Sequence, residues 1–338
     1  SGLASYVWLL PVGIWLASSY SALQYWATRK KYFPAIARNR MVQAVGGVGT
    51  QLSLGMVRAG PAGLVIGHAA GFALGTVNLA RVALTRDGQL LRTVSRAGIL
   101  AAGKEHDRFP KYSALEVLAN NAGMHMPLVI IASLAAGPEA GLLFLAIRAM
   151  QIPMALIGSS VAQVFYAHAP TALRRGELGT LTADTVGSLA RIAVGPIVFV
   201  AVLAPQVFGP VFGQEWERAG ELVRWMAPWI VLQFVSSPVS MLMHVVGRQR
   251  EMMWLTTSGM ILRVLPVLLM AAYSGAGLSE AYILGSALFY LLLGITILVR
   301  AGCSASELGH ALRPSVRPLL VWTTLGFLFV WLIGQDLF

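Results

Sequence analysis

Ten long apolar stretches run through the sequence, and threading them through a bilayer one after another sorts the lysines and arginines almost entirely to one side. Of the 25 basic residues, Arg58, Arg218 and Arg224 fall on the opposite side, Arg148, Arg191 and Arg263 lie within the stretches, and the rest occupy alternate connections. Cytoplasmic loops carry this excess of positive charge, and a chain patterned in this way reads as an integral membrane protein. A spanning helix needs about 20 mainly apolar residues, which places spans at 5–27, 39–57, 61–80, 113–136, 141–166, 181–204, 222–246, 252–273, 278–299 and 316–335. The clusters at Arg29, Lys30, Lys31, Arg38 and Arg40, from Arg81 to Lys111, at Arg174 and Arg175, at Arg248 and Arg250, and at Arg300, Arg313 and Arg317 put those loops in the cytoplasm. Both ends of the chain are then expected outside.

Composition excludes other classes. With 57% hydrophobic and 12% charged residues and a mean hydropathy of +0.69, the chain carries more apolar surface than a soluble domain hides. Its net charge of +11 would suggest nucleic acid, but the positives sit in short loops between spans, where they serve topology. Cys303 is alone and forms neither an intrachain disulfide nor a thiolate metal site. The histidines at 68, 106, 125, 168, 244 and 310 show no paired helical spacing, so no metal and no cofactor is expected.

The longest connection, 80–112, interleaves Leu90, Leu91, Val94, Ala97 and Leu100 with Arg92, Ser95 and Arg96. That period predicts an amphipathic helix on the membrane surface, linking two halves. Ser113 and Glu116 have the spacing of a capping box at the start of the next span. Gly63, Gly67, Gly71 and Gly75 form a ridge without side chains, read as close helix packing with a lipid-tail groove as the lesser alternative. Prolines at 11, 127, 153, 196, 228, 238 and 266 predict kinked spans.

Soluble-enzyme signatures are absent: there is no phosphate-loop lysine motif, no serine nucleophile elbow and no carboxylate pair at catalytic spacing. The glycines at 46, 47 and 49 lie inside a span and read as packing. What remains is polarity within the membrane. Arg148 lies on a helical face that continues through Ile152, Ala155, Ser159 and Gln163, and an arginine there is expected to face the bundle interior or water. With Arg263 and Arg191 on two further spans, three guanidiniums are available to one anion-binding cavity, since arginine presents phosphate with a planar fork of donors. Pairing with helix carbonyls or acids, or snorkelling to the surface, accounts for them equally. The amides Asn120, Asn121, Gln43, Gln51, Gln151 and Gln163 suit sugar binding or helix glue. Glu116 is a proton-coupling carboxylate or a cap, and His68, His125 and His244 are titratable side chains or packing.

Several stretches resemble the Wzx-type polysaccharide flippases of the multidrug/oligosaccharidyl-lipid/polysaccharide exporter superfamily. They are Arg108-Phe109-Pro110-Lys111-Tyr112-Ser113, Gly137-Pro138-Glu139-Ala140-Gly141 leading into the span with Arg148, Pro153, Ser159 and Gln163-Val164-Phe165, the run Phe212 to Gly220, Pro228 with Ser236-Ser237-Pro238, and Gly247-Arg248-Gln249. The resemblance implies an all-α integral membrane protein with about ten transmembrane helices here, in a two-lobed flippase architecture. The first lobe is expected to be incomplete, lacking about three N-terminal helices. On this reading, residues 1–84 are the remainder of the N-terminal lobe, 85–112 a cytoplasmic amphipathic linker, 113–300 a six-helix lobe, and 301–338 a cytoplasmic loop with an additional helix. It further implies transfer of undecaprenyl-diphosphate-linked oligosaccharide across the bacterial cytoplasmic membrane for O-antigen, capsule or exopolysaccharide synthesis. Arg148 and Arg263 would hold phosphate, Asn120, Gln151 and Gln163 would touch sugar or order water, and Arg191 would line the cytoplasmic entrance. Membrane lipids and polysaccharide polymerase or assembly proteins are the implied partners, and nucleic acid is not. Export of another polyprenyl lipid or a drug, a membrane glycosyltransferase or ligase, and a scaffold of an assembly complex are the alternatives.

Overall fold

The computed structural model describes residues 10–57, 60–92, 94–107, 109–135, 137–153 and 157–336. Helix is the only regular structure among the described residues, as expected where water cannot satisfy backbone polar groups. Seven helical segments, at 62–89, 111–134, 178–212, 214–245, 249–273, 278–301 and 305–332, are long and apolar enough to cross a membrane. The protein is thus an all-α integral membrane protein. Of the ten spans expected, three fall short of that measure in the described residues. The first loses its opening turns, because residues before Leu10 lie outside those described. The second carries Arg38, Arg40, Gln43 and Gln51. The span expected at 141–166 divides, with 154–156, and with them Ala155 of the Arg148 face, outside the described residues; the side chain of Ile152 lies outside them too.

The chain forms two compact units, residues 1–105 and 106–338. In the first, α1 (Leu10–Arg29), α2 (Phe33–Met56) and α3 (Gly60–Arg92) pack together and α4 (Arg96–Glu105) follows, without a buried residue. The glycine ridge is packing. A Cβ on Gly67 would stand 2.9 Å from the Gln51 backbone nitrogen, and one on Gly71 would stand 3.1 Å from the Gln43 carbonyl oxygen, so α2 lies directly on that stripe of α3. Gly75 receives the Tyr20 ring of α1. Asn78 Nδ2 donates to Asn39 Oδ1 at 2.8 Å, joining α3 to α2, and Gln51 Nε2 reaches the Leu64 carbonyl at 3.4 Å. In the connection expected over 80–112, α3 runs on to Arg92, breaking its helical geometry at Asp87, and the short, exposed α4 follows. The break turns Asp87 toward α1, where Lys30 Nζ lies 3.0 Å away and Trp26 Nε1 donates at 3.2 Å.

The second unit contains α5 (Ala114–Leu134), α6 (Glu139–Pro153), α7 (Ser159–Arg175), α8 (Leu178–Phe212), α9 (Glu217–Ser236), α10 (Leu242–Val245), α11 (Gln249–Tyr273), α12 (Leu278–Ala301), α13 (Ala305–Leu312) and α14 (Val316–Asp336). Its core gathers Leu222, Met226, Trp229 and Phe234 of α9 with Leu189 of α8 and Tyr282, Phe289 and Leu293 of α12. Small residues set the crossings: Gly285 lies against the Leu262 carbonyl, Gly220 against that of Ala204, and Gly187 against Ala311. The 35-residue α8 is about 50 Å long at 1.5 Å per residue, exceeding a hydrocarbon core of about 30 Å. It continues to Phe212, so the connection between the spans expected at 181–204 and 222–246 is mostly helical. Ser236 ends α9 in a 3-10 turn containing Pro238, and α10 and a left-handed Gly247 at φ +74° lead into α11. The capping box expected at Ser113 and Glu116 is also corrected. Ser113 is helical, because the chain already coils as a π-helical turn over 109–113, and its side chain caps nothing. The capping box that forms is Ser304 with Glu307, at the start of α13.

Candidate functional site

All six residues singled out for substrate lie in the second unit, but in different surroundings. Arg263 on α11 is 1% exposed. Its guanidinium carbon sits 4.2 Å from the Phe289 ring centroid and 5.2 Å from that of Tyr290. Gly123 of α5 closes the other side, where an added Cβ would stand 3.1 Å from Nη1. Among the described residues none of its three side-chain nitrogens meets full hydrogen-bond geometry, and the Tyr290 hydroxyl is the polar group that interacts with it. Arg263 is thus sealed between α5, α11 and α12 rather than opened to a cavity.

Arg148 on α6 is exposed, its guanidinium carbon 5.0 Å from the Phe144 ring. The face behind it is apolar: Leu142, Leu143, Ala146, Ile147 and Met150 are buried. The 3.6-residue period leaves Arg148 pointing away from that packed face. Gln151 on α6, Gln163 on α7 and Asn120 on α5 are half-buried. Asn121 spends its amide on the Val117 carbonyl of its own helix, at 2.8 Å.

Arg191 is exposed and lines a groove of about 580 Å³ between α8 and α13. Asp184, Ser188, Glu307 and His310 share its walls. Thr180 Oγ1 donates to Glu307 Oε1 at 3.1 Å, tying α8 to the capped start of α13. The three arginines therefore do not converge on one cavity within this unit.

Two further polar centres escaped the sequence reading as centres, although their members are visible in it. At the ends of α6, α9 and α12, Arg218 bonds Glu221 at 2.9 Å, Glu139 at 3.4 Å, and Glu280. At the opposite end, among the basic connections, Glu116 Oε2 of α5 lies 3.3 Å from Nε2 of His244 of α10, each side chain 12% exposed. No local signal brings either set together, because the partners lie on helices far apart in sequence.

In the first unit, a mainly apolar groove of about 610 Å³ runs over α1 and α3 past Ile14, Leu64 and Phe72, with Gln51 and His68 as its polar members. The His68 ring stands edge-on to Phe72, centroids 5.1 Å apart.

A family model described as "Polysaccharide biosynthesis protein" matches residues 1–221. Neither a curated protein nor a solved structure matches the chain.

Proposed function

Because the chain belongs to the polysaccharide biosynthesis protein family, we propose that it is a flippase for undecaprenyl-diphosphate-linked oligosaccharide, moving the headgroup across the membrane by alternating access. The observation that carries this reading is Arg148. Its guanidinium is exposed on an apolar helix of a membrane protein, and an arginine facing lipid at the centre of a spanning helix costs about 2.5–3.5 kcal/mol even on insertion scales. Such a side chain belongs in a water-lined passage, where its planar donors suit a diphosphate. A cationic lining also disfavours cationic drugs as cargo.

In this reading Arg148 attracts the diphosphate, Gln151, Gln163 and Asn120 meet sugar or order water, and the Arg191 groove stands at the entrance marked as cytoplasmic by the basic loops. Arg263 meets substrate only in a conformation that parts α5, α11 and α12. The long tail stays in the bilayer, and the work is conformational rather than covalent. The undecaprenyl carrier sets the location as the bacterial cytoplasmic membrane, with polymerase and assembly proteins as partners.

The test is transfer of a fluorescent undecaprenyl-diphosphate oligosaccharide in proteoliposomes, read as leaflet accessibility of its headgroup. Arg148→Gln is expected to slow the initial rate at subsaturating substrate about tenfold, the equivalent of about 1.4 kcal/mol. Equal rates for variant and wild type would remove Arg148 from the passage, and no protein-dependent transfer would remove the flippase reading.

A further inference from the structure

Helix α8 has two parts of different chemistry. From Ile192 to Phe212 it carries no charged residue, and at 1.5 Å per residue that run is about 30 Å long, the thickness of a hydrocarbon core. The part before it, Leu178 to Arg191, exposes Thr180, Asp184, Ser188 and Arg191, each three or four residues from the next and so on one helical face. Arg191 therefore marks the level at which α8 leaves the hydrocarbon, and Asp184 lies two turns, about 10 Å, farther out. Arg174 and Arg175 before α8, with Arg300 and Arg317 on either side of α13, make this the end of the unit that carries the basic connections.

Helix α13 and the start of α14 form a second wall that runs parallel to α8. Gly179, Gly187 and Gly195 recur every eight residues on α8, and a Cβ at each would meet in turn the carbonyls of Gly302, Ala311 and Pro318. Those close contacts fix the register of the two walls. The groove between their exposed edges measures about 580 Å³, inside the range of about 300–1,000 Å³ usual for small-ligand sites. Charge is ordered along it. Glu307 stands at the outer end, where Thr180 donates to it, Asp184 is one turn beyond Thr180, and Arg191 is the deepest charge on the α8 wall. Among the described residues Asp184 and Arg191 form no ion pair with each other.

Carboxylates at the mouth and a guanidinium at the hydrocarbon edge fit a ligand with its anion deep and its cation outside. A phospholipid with a phosphoethanolamine headgroup has that order, because its phosphate is joined to the glycerol beside the acyl chains and its ammonium lies beyond. The guanidinium presents a planar fork to the phosphate, and its long stem lets it reach outward to the headgroup. The ammonium offers three N–H donors to the carboxylates. Ile192, 51% exposed directly after Arg191, continues the site into the region of the acyl chains. A choline headgroup leaves the carboxylates without N–H donors, which is costly, and a glycerol headgroup brings no cation. A diphosphate brings further negative charge toward Asp184 and Glu307, which repel it.

We propose that the groove between α8 and α13 binds one phospholipid through its phosphoethanolamine headgroup, with phosphate on Arg191 and ammonium on Asp184 and Glu307. The lipid belongs to the leaflet at the basic end and joins α13 to α8 across the groove. The site requires that the chain spans a membrane and does not depend on the flippase reading.

The test titrates the intact protein in detergent with phosphatidylethanolamine, phosphatidylcholine and phosphatidylglycerol of equal chain length, counting retained lipid by native mass spectrometry. One phosphatidylethanolamine is expected to bind about tenfold more tightly than either other lipid. Asp184→Asn is expected to remove that preference, and Arg191→Gln to weaken all three lipids about tenfold. Both side chains are exposed, so the fold is expected to stand in each variant. A photoreactive phosphatidylethanolamine should crosslink within 180–191 and 306–314, and unlabelled lipid should displace it where soluble phosphoethanolamine at the same concentration does not. Equal retention of the three lipids by wild type, preference for phosphatidylglycerol, or an unchanged preference in Asp184→Asn overturns the proposal. So does crosslinking confined to other segments, displacement by the soluble headgroup, or tighter retention of undecaprenyl diphosphate in the groove.

Discussion

Arg263 and Arg148 show how one residue type takes opposite environments within one unit. Arg263 is enclosed with no well-formed hydrogen bond among the described residues and an aromatic ring across its face. A desolvated cation–π contact returns about 2 kcal/mol, whereas the effective cost of burying an ion is still several kcal/mol after relaxation. Arg263→Met keeps much of the volume and removes the charge. It is expected to stabilise this conformation by about 1–3 kcal/mol, read as a higher unfolding midpoint in detergent; a lower midpoint would show that the charge itself holds the three helices. Both arginines were visible in the sequence as charges within apolar stretches. Which one is sealed was not, because that depends on Phe289 and Tyr290 of α12 and Gly123 of α5 arriving around Arg263.

Helices here meet over small residues, and the positions differ sharply in what they tolerate. A Cβ at Gly67 has to displace the backbone of α2, while one at Gly49 meets nothing within 4 Å. Gly67→Ala is therefore expected to destabilise by about 1–3 kcal/mol, the usual cost of overpacking. Gly49→Ala is expected to be neutral or to stabilise by up to about 1 kcal/mol, because alanine is the better helix former. Denaturant titrations of both variants in detergent check the contrast, and equal midpoints would refute the packing of α3 on α2. Cap chemistry is similarly local: Ser304→Ala should cost about 1 kcal/mol, seen as loosening of α13 in hydrogen exchange, with protection unchanged if the cap is idle. The glycine ridge was legible because its four-residue period is written in one helix. The capping box at Ser113 was misread because motif spacing cannot show that the preceding residues already coil.

Across the whole molecule, the arrangement of charge predicts that the 301–315 connection faces the cytoplasm, and Cys303, the one cysteine of the sequence, tests it. Burial pushes its thiol up from the ordinary value, with Glu307 adding to the effect. The thiolate fraction at neutral pH is then lower than for a free thiol, and alkylation is expected to be slow at pH 7 and to quicken as pH is raised. A membrane-impermeant maleimide should label inside-out vesicles and spare intact cells; labelling of intact cells would invert the topology. Glu116 and His244 lie at the end of the second unit that carries the basic connections, and the Arg218 cluster lies at the other.

Hydrophobic run length and the alternation of basic loops determined, by sequence alone, that this is a helical membrane protein and roughly where its helices fall. Those properties are local, because each helix satisfies its own backbone in lipid and each loop's charge acts on its own neighbouring spans. The continuation of α8 to Phe212 through three prolines, the break at Asp87 and the short α10 needed the tertiary structure, since packing between distant segments sets where these helices end. So did every pairing of polar residues. Glu116 and His244 were each legible as titratable, and Arg218 as a lone charge outside the basic loops. Only helix crossings, set by side-chain shape across distant segments, decided that the first two meet and that Arg218 gathers three carboxylates.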